Sequence, residues 1–363
     1  MRRDAVSGDL HSREGVSTPT DGDEPAFHAI KVAVLSPSWA APGFFPEAHE
    51  RSMVALKDHL GLVAVELPTT RQIGVSPQGR ADDLMVAFAD PEIKAVLSSI
   101  GGDDQLTVLP HLDPKVFIAS PKRFFSYSDN TNFLNYLWNL GITGYHGGST
   151  MVHLARPGGV HPVSIESLRI ALFTNDTVEI APVPQFTDLG AEWADPLTLE
   201  VELETTTDEG WHWRNSDRVV SGPSWGGNLE VLHWNFAANR WIRPSESYAA
   251  CVLLLETSEE MPTDLDVFRM LRNAGERGLL EQFEAILVAK PKAWSHENRT
   301  TKTEQASFRE KQRAAIEEAL DAYCPDTMAV FGLDFGHTDP QHVLPYGGLI
   351  EVDGVQRNVK VTY

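Results

Sequence analysis

Apolar residues come in short blocks along this chain, and the blocks switch between two periods. Ile30-Lys31-Val32-Ala33-Val34-Leu35-Ser36 is a near-continuous apolar run with the length of a buried strand. Over residues 47–60, Met53, Leu56 and Leu60 fall on one helical face. Residues 62–67 predict a second strand, and residues 80–89 a helix that Pro91 stops. A third strand, residues 94–100, runs into Gly101-Gly102-Asp103-Asp104. A short helix reaching Leu109 comes next, then a strand near Arg123-Phe124-Phe125, then helical spacing through residues 132–138. This alternation predicts an α/β fold: an open, mostly parallel sheet with flanking helices and its functional loops at the strand C-termini.

The pattern changes in the middle. After a helix over residues 164–172, the stretch from Asp176 to about Ser221 is rich in Thr, Glu, Asp and Trp. It reads as irregular or β structure, with alternation in Leu197-Thr198-Leu199-Glu200-Val201-Glu202. Alternation of strand and helix then resumes: strand 250–255, helix 264–274, strand 285–289, helix 304–322 and strand 328–333. A hairpin built from residues 349–352 and 358–361 closes the series. The expected organisation is a flexible polar tail over 1–28, an N-terminal α/β domain over 29–175, an interdomain segment over 176–225 and a C-terminal mixed α/β domain over 226–363. A length of 363 residues fits about two domains.

Charge narrows the partners. A formal net charge of −21 disfavours nucleic acid and anionic membranes, which attract cationic surfaces. No apolar run approaches the ~18 residues of a membrane span, and the N-terminus lacks the apolar core of a secretory signal. The two cysteines, Cys251 and Cys324, sit in or beside apolar runs and read as buried free thiols of a reducing compartment. A cytoplasmic protein is the default expectation.

Candidate chemistry gathers at strand ends. In Phe124-Phe125-Ser126-Tyr127-Ser128-Asp129-Asn130-Thr131 a strand turns sharply into a helix and carries Ser128 at the turn. That is the geometry of a nucleophile elbow, although Ser126 and Asn130 stand where G-x-S-x-G has glycines. A capped helix start, with Ser128 or Asp129 as N-cap, accounts for the same residues. His337 lies just beyond another strand, as a candidate base or a surface loop histidine. Glu256 ends a third, as a group to orient an imidazole or a solvated acid. Gly101-Gly102 ends a fourth and offers backbone amides to an oxyanion, with the Asp129 amide as second donor.

Gly101-Gly102, Ser126-Tyr127-Ser128-Asp129-Asn130-Thr131, Gly226-Gly227-Asn228-Leu229, Leu255-Glu256-Thr257-Ser258 and Phe335-Gly336-His337-Thr338-Asp339-Pro340 occur in that order, after Arg80-Ala81-Asp82-Asp83-Leu84. Together, from about residue 30 onward, they resemble the LD-carboxypeptidase and microcin-immunity family of serine peptidases. The resemblance implies a Ser128–Glu256–His337 triad in the cleft between two domains, with Gly102 and Asp129 as the oxyanion hole. It implies a homodimer that works without metal or cofactor. Gly101 and Asn228 would line the substrate site. Two departures stand out: Ser126 replaces the glycine that usually opens the elbow motif, and Asp103-Asp104-Gln105 follows the paired glycines where Tyr or Asn is expected. Asn273-Ala274-Gly275-Glu276-Arg277-Gly278-Leu279-Leu280 and Ala289-Lys290-Pro291-Lys292-Ala293 resemble the immunity branch, whose substrates are aminoacyl-nucleotides. Trp211 and Trp213 are then candidate faces for a nucleobase, or alternating anchors of a domain interface. A murein peptide substrate, and sequestration of the ligand without turnover, are the competing expectations.

Overall fold

The computed structural model describes residues 30–363. The expected tail over residues 1–28 lies outside them. Two sheets organise the molecule. The first has six strands in the order Leu344–Tyr346, Gly144–His146, Arg123–Ser126, Ile93–Ser98, Lys31–Leu35, Val63–Glu66. Its five N-terminal strands are parallel, and Leu344–Tyr346 adds antiparallel to Gly144–His146. Lys31–Leu35 lies between Val63–Glu66 and Ile93–Ser98, so the chain reverses its direction of travel across the sheet beside it. The loops after Lys31–Leu35 and Ile93–Ser98 therefore diverge and leave a crevice at the sheet's C-terminal edge.

The second sheet has eight strands: Thr177–Ile180, Asn358–Thr362, Leu349–Asp353, Val219–Asn228, Val252–Glu256, Ala285–Ala289, Met328–Leu333, His212–Arg214. The four central strands from Val219–Asn228 to Met328–Leu333 are parallel over their paired ends. Their residues are almost all buried: one face packs with the helices, and the other shares an apolar cluster with Ile350, Val352, Val359 and Val361 of the C-terminal hairpin. The expected hairpin forms, with Ile350 opposite Val361 and Val352 opposite Val359. Both cysteines are free and buried.

Two expectations are corrected. Residues 197–202 are not a strand. Asp195 accepts from the Leu197 amide and Pro196 follows it, so the segment closes into the 3₁₀ turn Pro196–Glu200. The boundary drawn at 225/226 falls inside the ten-residue strand Val219–Asn228. That strand's Gly226-Gly227 end touches the first domain. A Cβ on Gly227 would stand 2.8 Å from Thr131 Oγ1, so only glycine allows the approach.

Buried polar side chains join the two sheets there. The Asn228 amide donates to Thr131 Oγ1 at 3.1 Å, Trp225 Nε1 to Asn135 Oδ1 at 3.0 Å, and Asn235 Nδ2 to Asn132 Oδ1 at 2.9 Å. Asn132 and Asn135 lie in the helix Thr131–Asn139 that follows the serine turn.

Candidate active site

The serine turn is built by its flanking packing. Phe124 points into one core beside Phe133, with ring centroids 4.8 Å apart, and Phe125 into the other, stacked on Tyr145 at 4.8 Å. With both faces pinned, the strand ends at Ser126 and Tyr127 continues extended. Ser128 then takes φ +61°, in the left-handed region that non-glycine residues avoid. A 3₁₀ turn, Ser128–Asn130, leads into the helix Thr131–Asn139. A strained serine between strand and helix is how a hydroxyl is presented at a sheet edge.

The capping alternative fails on geometry. Neither helical start has a side-chain cap bond. The Asp129 carboxylate reaches sideways instead: it accepts from the Ser38 hydroxyl, the Gln105 amide at 2.9 Å and Asn132 Nδ2 at 2.9 Å. Burial raises its pKa, and the bonds from Ser38 and Gln105 oppose that rise. These contacts tie the turn to the loops after the first and third strands. Ser126 is fully buried and adopts no left-handed conformation. Its hydroxyl lies 3.2 Å from Ser149 Oγ, so the departure from glycine costs the turn nothing.

Gly101 lies against Ser128. A Cβ there would be 2.8 Å from Ser128 Cβ, 2.9 Å from its Oγ and 3.4 Å from the Asp129 amide nitrogen. The Gly101 carbonyl accepts from the Trp39 amide at 3.2 Å. The Gly102 and Asp129 amides have no acceptor among the described residues. Beside this loop a cavity of about 260 Å³ opens, lined by Ser38, Trp39, Phe44, Thr69, Arg80 and Asp104. Arg80 walls it with a bidentate pair to Asp104 and a 2.6 Å bond to the Ser38 carbonyl.

The second sheet supplies the other groups. Glu256, buried at the end of Val252–Glu256, places Oε2 2.5 Å from His337 Nδ1. The His337 loop is held by Gln341 Nε2 on the Phe335 and Gly336 carbonyls at 3.2 and 2.8 Å. Lys292 Nζ sits 3.1 Å from the His337 carbonyl, and Asp339 pairs with Arg156. A two-way backbone pair between Thr187 and Asp339 adds the middle segment as a clamp. The first sheet meets the histidine through Tyr127, whose ring centroid is 4.8 Å from that of His337. The structure thus brings Glu256 to His337, and Gly101 to Ser128 and Asp129; Tyr127, next to Ser128 on the chain, joins the two groups through its ring on His337. Asn228 sits at the neighbouring junction as the N-cap of the helix Leu229–Ala238, its Oδ1 accepting from the Val231 amide at 2.9 Å and its Nδ2 buried without a partner among the described residues.

The tryptophan pair lies elsewhere in the packing. Trp213 is on the edge strand His212–Arg214, opposite Val330, and both indoles rest on the sheet's core. The aromatic face beside the Gly101 loop is Trp39, in a cluster with Phe44, Phe45 and, through Phe45, Trp193. Sequence reasoning also missed His146 and His153, which pack on Tyr127 at 5.9 and 5.6 Å. Burial lowers the pKa of each to about 4, so both are neutral. His146 ends a strand just before Gly147-Gly148, the same kind of signal that singled out His337.

A pair of carboxylate and imidazole beside a strained hydroxyl can relay a proton in acyl transfer. Residues 32–147 match the N-terminal domain of the LD-carboxypeptidases, and residues 221–352 match their C-terminal domain. The microcin C7 self-immunity protein MccF of Escherichia coli is 22% identical over 78% of this chain and 78% of its own length. A carboxypeptidase-named protein of Vibrio cholerae is 23% identical over 89% and 92%. Among solved structures, an MccF-like protein from Streptococcus pneumoniae in complex with AMP superposes with a TM-score of 0.81, at 24% identity over 92% of this chain and 99% of that one. MccF in complex with glutamyl sulfamoyl guanosine gives 0.76, at 21% identity over 92% and 96%. These structural likenesses show a shared fold, and the two domain matches cover most of the chain: it belongs to the LD-carboxypeptidase family.

Proposed function

We propose that this protein is a serine carboxypeptidase that hydrolyses an amide through Ser128, His337 and Glu256. Ser128 Oγ attacks the carbonyl carbon while His337 Nε2 takes its proton. Glu256 holds the imidazole through Nδ1 and stabilises the imidazolium. The Gly102 and Asp129 amides receive the oxyanion. The C–N bond then breaks, the leaving nitrogen takes the proton from His337, and an acyl ester remains on Ser128. Water, deprotonated by the same histidine, releases the acid and restores the hydroxyl.

The observation that carries this reading is a left-handed Ser128 next on the chain to Tyr127, whose ring packs at 4.8 Å on the histidine of a buried His337–Glu256 pair. The substrate we favour is an aminoacyl-nucleotide, cleaved in toxin resistance, since the solved relatives bind AMP and aminoacyl sulfamoyl nucleosides. Trp39 is then the better candidate for a stacking face than Trp211 or Trp213. The family's domain descriptions favour a second substrate, a murein peptide with an L–D linkage. Parallel assays on both substrates separate the two. Ser128→Ala should lower kcat by several orders of magnitude. Undiminished hydrolysis of aspartyl sulfamoyl adenosine by that variant would sink the assignment. A homodimer in the cytoplasm completes the proposal, and sedimentation equilibrium tests the oligomeric state.

A further inference from the structure

The imidazole of His337 is engaged on both nitrogens. Nδ1 meets Glu256 at 2.5 Å, and Nε2 lies 3.2 Å from Glu259 Oε2. Among the described residues, no hydrogen bond joins Ser128 Oγ to His337. The nitrogen that must accept the serine proton faces a carboxylate instead. An imidazole between two carboxylates is held as imidazolium, and an imidazolium accepts no proton.

The surroundings agree. Burial pulls the His337 pKa down, but the charges of Glu256 and Glu259 outweigh it and carry it to about 9. Lys292, on the neighbouring loop, opposes them. His146 and His153, behind Tyr127, are neutral, and Asp339 is paired with Arg156.

The two glutamates are placed differently. The Glu256 side chain is fully buried at a strand end, whereas that of Glu259 is 55% exposed. Glu259 sits on a turn whose root is fixed: Glu230 Oε1 accepts from the Ser258 amide at 2.9 Å and from its hydroxyl at 2.8 Å. Met261, at φ +54°, returns the chain. A rigid root with an exposed tip lets the carboxylate swing while the backbone stays. Lys292, whose charge acts on Glu259, has its Nζ already bonded to the His337 carbonyl at 3.1 Å. A cation that draws Glu259 off Nε2 therefore has to arrive with the substrate.

We propose that Glu259 is a substrate-released latch: it holds Nε2 of His337 in the free protein and transfers to an ammonium group on the substrate, so that the base is freed only by amides whose acyl part carries a free amine. The proposal rests on the reading of Ser128 and His337 as nucleophile and base, and Glu259 acts in it as a positioning and selectivity residue. An α-ammonium is attached next to the scissile carbonyl, so it reaches the tip of the turn when the carbonyl lies over Ser128. An N-acetylated substrate of the same shape has no charge to offer and leaves the latch closed.

Glu259→Gln keeps the size and removes the charge. Three measurements on the full chain test it: the His337 imidazole titration by ¹⁵N NMR, the pH dependence of Ser128 labelling by a fluorophosphonate, and kcat/KM for aspartyl sulfamoyl adenosine against its N-acetyl form. The variant should move the NMR midpoint and the labelling profile to lower pH by about one unit. Its preference for the free amine should fall by about tenfold, as one unit corresponds to that factor. Labelling and hydrolysis that persist with an unmoved midpoint and an unchanged preference overturn the latch alone. A wild type whose His337 titrates high, but which neither labels nor hydrolyses, overturns the catalytic reading and the latch with it.

Discussion

Replacing Gly101 by alanine tests the site with the smallest possible change. The new methyl would stand 2.8 Å from Ser128 Cβ and 2.9 Å from Ser128 Oγ. Comfortable carbon contacts are about 3.5–4.0 Å, so the overlap is about 1 Å and one of the two loops must move by that much. A shift of about 1 Å at reacting atoms costs on the order of 10² in rate. The methyl is also 3.4 Å from the Asp129 nitrogen, in the space an oxyanion would occupy. Losing one oxyanion donor costs about 10²–10³ in kcat. We expect kcat/KM for aspartyl sulfamoyl adenosine to fall by about 10²–10⁴, mostly in kcat, because the two effects overlap. Overpacking should cost about 1–3 kcal/mol of stability. Steady-state kinetics, fluorophosphonate labelling of Ser128 and a urea melt on the same sample separate activity from folding. A folded Gly101→Ala protein with kcat/KM near that of wild type would show that the oxyanion does not form between this loop and the serine turn.

Ser126→Gly restores the glycine usual in such elbows. It should leave kcat/KM unchanged and cost about 1 kcal/mol in urea unfolding, since it removes the bond to Ser149 and loosens a buried strand. Asn235→Ala strands Asn132 Oδ1 between the sheets and should destabilise by about 1–3 kcal/mol in the same assay. His337 links stability to pH with a definite sign. Its folded pKa of about 9 exceeds the unfolded 6.5, so its contribution is fully present below 6.5 and is lost as pH rises through about 9. Urea titrations across that window should show wild type losing stability relative to His337→Asn; a gap that stays constant or widens with pH would contradict the pairing.

Much of the proposed site was legible because each group ends a buried apolar run. Glu256 closes Val252–Glu256, His337 follows Met328–Leu333, and Gly101 follows Ile93–Ser98, so counting along strands finds them. What escaped depends on contacts between distant segments. Nothing near Asp129 in sequence says that its carboxylate will be taken by Ser38, 91 positions away, rather than by the helix it precedes. Glu259 is three residues past Glu256 and reads as a solvated turn acid until the histidine loop is folded over it. Trp211 and Trp213 are a different case. Two indoles in a polar stretch suggested a ligand face or anchors of an interface; Trp213 lies on an edge strand, and both indoles pack, partly buried, against the core. The 3₁₀ turn at Pro196–Glu200 shows that a local cap and proline override a short alternating pattern.

The antiparallel strand Leu344–Tyr346 has a consequence for how the molecule is made. The first sheet gathers its first five strands by His146, yet its sixth is synthesised only after some two hundred further residues. Until then the Gly144–His146 edge has no partner, and an unpaired edge invites pairing with other chains. Leu344 follows His337 closely on the chain, so the segment that seals the edge is also the one that delivers the imidazole. A nascent or truncated polypeptide displays its serine turn without the histidine proposed to activate it. Catalytic competence and a closed sheet edge should therefore be acquired together, late in biosynthesis. Separately expressed halves should recover both only when mixed.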